Sequence, residues 1–232
     1  MKLPTHDVFL DLENGGLRHT DDRFWEVGMV VDMPGREPEL HHYYVSDFNP
    51  ADADPVALQM SGFYERHPLH RLSGIGQPMD AGTALTLDTH GLPDGDPDAA
   101  PPKVHFALAP EAHVVSTLSW YLRDARVCIV NPTFDKPKLV TALARHGFAW
   151  TAYYTPVCIG SFAAGAIGVD PCAGRSNDVA QALGVNRDDY GLGHTGLVDS
   201  LYARAVLRTA ESKVGVKPQW MVEHEAATVG EG

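Results

Sequence analysis

Long apolar runs are missing: none of the 232 residues begins a stretch of about 18 apolar side chains, which excludes a helical membrane span. The N-terminal Met1-Lys2-Leu3-Pro4 leads into the first strand without the apolar core of a secretory leader, so a cytoplasmic location is expected. Cysteine is scarce. Cys128, Cys158 and Cys172 are odd in number and form no C-x-x-C, which argues against a disulfide framework or a cysteine zinc site and for reduced, buried thiols. Basic residues are also few, 18 Lys and Arg against 30 Asp and Glu, for a formal charge of -12. That balance excludes a broad basic face gripping long duplex nucleic acid, but not an enzyme that holds only a strand end.

What remains is the composition of a globular domain, 44% hydrophobic and 21% charged. Its most informative stretch is Phe9-Leu10-Asp11-Leu12-Glu13-Asn14-Gly15. Side chains two apart on a strand leave from one face, so Asp11 and Glu13 point the same way. Two carboxylates against an apolar sheet are tolerated mainly where a cation neutralises them or a proton is retained. An edge strand with one wet face is the plainer alternative for a single D-x-E.

In chain order, strands are predicted at 7–13, Trp25 to Asp32 and Leu40 to Val45, forming an antiparallel meander. Asp54-Pro55 opens a short helix that reaches Glu65. From about 68 to 103 the Gly-, Pro- and Asp-rich composition predicts a loop insertion. Beyond it the pattern predicts a helix from Pro110 to Ala125, a strand from Arg126 to Val130, and a helix from Asp135 to His146. A further strand is expected over Phe148 to Tyr154, with helices at 157–169, 176–183 and from Thr195 to about Lys213. The last carries a core stripe at Leu197, Leu201 and Ala205. Residues 1–215 are read as one domain and 216–232 as a draping or fraying tail.

Asp135, after a strand and before a helix with Pro137 in its first turn, has the position of an N-cap. Asp199 stands at the border of the last helix's apolar stripe, and His194 in the Gly-rich turn leading in. Gly191 to Gly196 satisfies G-x-G-x-x-G but follows no buried strand, so it is not read as a dinucleotide site. Gly160 to Gly165 lacks the Lys-Ser of a phosphate loop. His41, His42, His67 and His70 lack a third ligand at metal spacing and are expected on the surface.

Taken together, strand D-x-E, Asn131-x-x-Phe134-Asp135 before a helix, and His194-x-x-x-x-Asp199 entering the last helix resemble the DEDDh, or DnaQ-like, branch of the DEDD exonucleases. The block from Phe9 to Leu17 is similar to the family's F-x-D-x-E-T-T-G-L, with Asn14 and Gly15 in place of the threonines. Trp25-Glu26-Val27-Gly28 is similar to its second strand.

The resemblance implies an α/β domain of the ribonuclease H-like type: a mixed five-stranded sheet, three antiparallel strands first, flanked by helices. It implies 3′-to-5′ exonuclease activity on single-stranded or frayed DNA. RNA trimming on the same fold, or a non-catalytic binding module, are the alternatives. Asp11, Glu13, Asp135 and Asp199 would hold two Mg²⁺ or Mn²⁺ ions, with His194 as the general base. Asn14, Gly15, Leu17 and Asn131 would contact substrate, and Phe63 is a candidate to stack a terminal base, although an aromatic at a helix end more often packs into the core. The partner implied is a single-stranded 3′ end. Association with a polymerase has only the tail as a candidate segment.

Overall fold

β1 (His6–Asn14) is apolar on both faces from Val8 to Leu10, and both faces are covered. The computed structural model describes residues 3–18, 23–70, 104–153, 155–170, 176–191 and 194–229. Of the insertion expected at about 68–103, residues 71–103 lie outside them, as does Cys172; Cys128 is buried and Cys158 partly so, both as free thiols. β1 pairs antiparallel with β2 (Phe24–Asp32), and β2 antiparallel with β3 (Glu39–Val45). Parallel partners extend the sheet: β4 (Val104–Ala109) beside β3, β5 (Ala125–Ile129) beside β1, and β6 (Val157–Cys158) beside β5. The order is β4-β3-β2-β1-β5-β6, a mixed sheet of the ribonuclease H-like type.

The described sheet therefore has six strands, not five. β4 was missed because its six residues, between a Pro-rich stretch and Pro110, are too short to separate from the start of a helix by pattern. Phe148 to Tyr153 is not a strand. That segment touches β5 through Asp124 N to Thr151 O (3.2 Å) and Tyr153 N to Ala125 O (2.8 Å), and the ladder resumes only at Val157.

Helices cover both faces. On one, α3 (Glu111–Tyr121) and α4 (Pro132–Arg145) bury Val114, Leu118, Leu139 and Leu143 against Val8, Leu10, Val27 and Met29. On the other, α5 (Ile159–Ala166), α6 (Ser176–Ala182) and α7 (Gly196–Val214) pack against Phe9, Val30 and Leu40. The predicted helix at 53–65 is two short ones, α1 (Pro55–Met60) and α2 (Phe63–Arg66), because Gly62 between them takes a left-handed φ of 69°. The buried stripe of α7 is rotated from the expected one: Leu201 and Ala205 are only partly buried, while Ser200, Ala203 and Leu207 face the sheet. Small residues let the helix sit close, and Ser200 Oγ donates to Gly28 O at 2.9 Å.

The C-terminal segment is a helix, α8 (Gln219–Val229), not a fraying tail. Buried Trp220 donates its Nε1 hydrogen to Asp7 Oδ1 at 2.8 Å. Asp7, on β1, also accepts from Arg126 (2.6 and 2.8 Å) and Arg208 (2.5 Å). Burial alone would raise its pKa, but these donors outweigh that and hold the carboxyl below the usual range. The segment that was the candidate for a polymerase contact is helical and packs on the domain through Trp220. His41, His42 and His67, expected at the surface, are buried in the sheet and against α2.

Candidate active site

Register decides what meets above the sheet. Asp11 lies opposite Gly28 and Glu13 opposite Glu26, and Gly28 in turn lies opposite His42, so these groups share the α7 face. No side chain fits at the crossing of α7 over β2. A Cβ on Gly28 would lie 1.8 Å from Gly196 C, and one on Gly196 2.5 Å from Gly28 N. That close approach carries the first turn of α7, with Asp199, onto the Asp11 and Glu13 pair. Thr195 caps the helix by accepting from Val198 N at 3.2 Å. One carboxylate oxygen from each of Asp11, Glu13 and Asp199 then lies within 4.8 Å of the others.

Asp135 arrives from the other side of β1. It is not the N-cap of α4; Asn131 occupies that position, and Asp135 stands buried in the first turn. α4 begins just beyond the C-terminal end of β5, beside β1, where open parallel sheets present their ligand crevices. Asp135 contributes to the field that raises both Asp11 and Glu13. Lys138, one turn on, is fully buried, its Nζ donating to Arg18 O (2.8 Å) and Gly16 O (3.3 Å), which ties the turn after β1 to α4.

The electrostatics are those of acids lacking enough positive charge. Burial, reinforced by Asp199, Glu13 and Asp135, pushes Asp11 well above the carboxylate range. Burial and the facing Glu26 push Glu13 up to about 8, against the pull of Arg66. Burial raises Asp135 to about 7, opposed by Lys138 and by a hydrogen bond from Asn14. Asp199 is raised by burial, opposed by its ion pair with Arg187 and by nearby His194. Four carboxyls, Asp135 buried and the other three partly so, offer only hard oxygen donors and fit divalent Mg²⁺ or Mn²⁺.

His194 Nδ1 lies 3.7 Å from Asp199 Oδ2, with its side chain 73% exposed, at the solvent side of the cluster. Asn14 is buried, donating to Leu12 O at 2.8 Å and bonding Asp135, so it supports an acid and has no face toward a strand end. Gly15 is buried too: its N–H donates to Arg23 O and its carbonyl accepts from Asp54 N. Leu17 is 50% exposed and Asn131 is exposed, so both are open to a ligand. Phe63 is 0% exposed, enclosed by Trp25, Phe48, Tyr64 and His67, and has no ring face for a base.

Three supporting residues escaped sequence reasoning. Glu26, fully buried, accepts from Gly196 N (2.7 Å), His42 (2.9 Å) and Arg66 (2.5 Å); burial alone would raise it, yet Arg66 and His42 keep its pKa below the ordinary value. Arg66 also reaches Glu13 Oε1 at 3.4 Å and lies over the Trp25 ring. Arg187, in the turn before α7, pairs with Asp199. Glu26 was within reach, since it stands in the second matched block and the meander register sets it against Glu13; the two arginines carry no local pattern.

No family model matches the chain, and no curated protein matches it in sequence. Solved structures do match in fold. A structure of exonuclease I that suggests how processivity is achieved is 13% identical with a TM-score of 0.53, covering 94% of this chain and 43% of that one. Escherichia coli exonuclease I in complex with a dT13 oligonucleotide is 13% identical with a TM-score of 0.52, over 90% of this chain and 41% of that one. The zinc-bound E. coli exonuclease I complex with single-stranded DNA also gives 13% and 0.52. The chain spans less than half the length of each of these proteins.

Proposed function

We propose that the chain is a metal-dependent 3′-to-5′ exonuclease that removes nucleoside 5′-monophosphates from single-stranded DNA. The observation that carries this is the convergence of Asp11, Glu13 and Asp199 from two elements far apart in sequence, with Asp135 acting on the same field. Exonuclease I, similar in fold, has been captured with single-stranded oligonucleotides, which favours DNA as the first substrate to try.

Asp11, Glu13, Asp135 and Asp199 would hold two divalent ions, which supply phosphoryl charge neutralisation, a more acidic attacking water and stabilisation of the departing 3′ oxygen. The chain's own residues do the rest. His194, exposed beside Asp199, takes the proton of the attacking water, a task suited to imidazole near neutral pH. Arg187 holds Asp199, and Glu26 holds the backbone at Gly196, so the acid cannot drift from the β1 pair. Leu17 and Asn131 stand at the exposed rim and contact the terminal nucleotide.

The test is digestion of 5′-labelled single-stranded DNA and RNA side by side with Mg²⁺ or Mn²⁺. Stepwise shortening from the 3′ end, with 5′-monophosphate products and loss of activity in Asp11→Asn and Asp199→Asn, is expected. Undiminished activity in either variant would overturn the assignment.

A further inference from the structure

A second cluster lies on the opposite face of the sheet. His41 is opposite Met29, which is opposite Leu10, so His41 points away from the Asp11 and Glu13 face. Glu39 shares its strand and face two residues earlier, and the parallel pairing of β3 with β4 sets His105 directly beside His41. One ligand-capable atom from each of Glu39, His41 and His105 lies within 4.8 Å of the others. Glu39 is partly buried, His41 buried and His105 exposed, a gradient from interior to solvent that gives an ion an entry path.

The independent sign of a ligand is an orphaned nitrogen. His41 is 2% exposed, and its buried Nε2 has no hydrogen-bond partner among the described residues, with Glu39 Oε2 at 3.7 Å. Such a polar atom is costly to bury unless something satisfies it. Its other nitrogen, Nδ1, lies 2.9 Å from the Tyr43 hydroxyl. A metal-binding histidine is arranged this way: one ring nitrogen is fixed by an outer partner and the other is left to the metal. Glu39 is oriented too, since the Tyr121 hydroxyl donates to its Oε2 at 2.9 Å and Arg36 lies 4.0 Å from Oε1.

We infer that Glu39, His41 and His105 form a site for a divalent transition ion of the zinc type, separate from the acidic cluster. Two imidazoles and one carboxylate favour Zn²⁺ over Mg²⁺ and leave a fourth position for water. Bonds of about 2.0–2.1 Å bring tetrahedral ligand atoms to about 3.3 Å apart, so the site must tighten on binding. The His105 ring, stacked on His41 at 4.7 Å, is exposed and rotates inward to do so. The ion ties β4, the edge strand, to β3, a cross-link beyond the backbone ladder.

The 232-residue chain carrying Asp11→Asn and Asp199→Asn, which silence the acidic cluster, is titrated with Zn²⁺ by calorimetry and with Co²⁺ by visible absorption. One ion per chain and the intense bands of tetrahedral Co²⁺ are expected. In that background His105→Ala should weaken Zn²⁺ binding by more than 10-fold and remove the bands, and Tyr43→Phe should weaken it about 10- to 100-fold. His105 is exposed, so its replacement spares the fold, which circular dichroism verifies. Absence of a bound ion in the folded parent, or binding unchanged by His105→Ala, would overturn the site. In the otherwise unaltered chain His105→Ala should leave nuclease activity intact, which keeps this test apart from that of the acidic cluster.

Discussion

At the scale of single residues, the acidic cluster holds protons that a divalent ion would expel. Folded values of about 8 for Glu13 and about 7 for Asp135 stand above the unfolded carboxylate range near 4. A raised acid favours the folded state at low pH, and that contribution is lost as pH climbs through the folded values. The metal-free protein should therefore lose stability between about pH 4 and about pH 8 at these positions, and Mg²⁺ should raise its melting temperature more at about pH 8.5 than at about pH 5.5. Calorimetry in two buffers of different ionisation enthalpy should detect release of about one proton or more per chain on metal binding at pH 7. Zero release would contradict the arrangement. Asp11→Asn should abolish nuclease activity, by a factor on the order of 10³ or more, while stabilising the metal-free fold by removing one of the mutually repelling acids. The convergence of Asp11, Glu13 and Asp199 was legible because they stand in ordered acidic blocks. Arg66 and Arg187 were not, since an arginine's reach of several ångströms leaves no mark in spacing. Phe63 was misassigned to substrate for a related reason: an aromatic at a helix end looks the same in sequence whether it faces solvent or Trp25.

At the scale of elements, the site depends on how closely α7 crosses β2. Gly28→Ala should cost about 3 kcal/mol or more, because its methyl would meet backbone, which cannot yield as a side chain does. Urea unfolding together with activity checks it, and a stable, active variant would show that the crossing is less tight than described. β2 was recognised from alternation, yet its glycine looked like an ordinary family residue; only the facing Gly196 gives it meaning. The C-terminal helix was illegible for a different reason. Its short run shows little helical periodicity, and a long-range bond from Trp220 to a buried carboxylate on β1 anchors it. Trp220→Ala should destabilise by about 3–5 kcal/mol. Asp7, whose pKa is held low, should make the domain lose stability as pH falls below about 4, the range in which that carboxylate becomes protonated.

At the scale of the whole molecule, a charge of -12 and a site made of acids mean that a polyanion approaches against the field unless cations are present. Anisotropy titrations with a labelled single strand should show weak binding in chelator and a gain of at least 10-fold with Ca²⁺, which occupies hard-oxygen sites; equal affinity in both would place the strand elsewhere. No helix among the described residues is long and apolar enough to cross a membrane. The antiparallel meander of β1, β2 and β3 was legible from alternation, whereas β4 escaped because a six-residue edge strand has too few alternations to register. Arg66, finally, sits between Glu13 and Glu26 as a cation the protein never gives up. Part of the repulsion is thus answered from within, and the scaffold should stay assembled without bound ions. Mg²⁺ and Mn²⁺ should exchange freely in a socket that keeps its shape, and stripping them with chelator should silence the proposed nuclease activity without unfolding the chain, with activity returning as soon as either ion is added back.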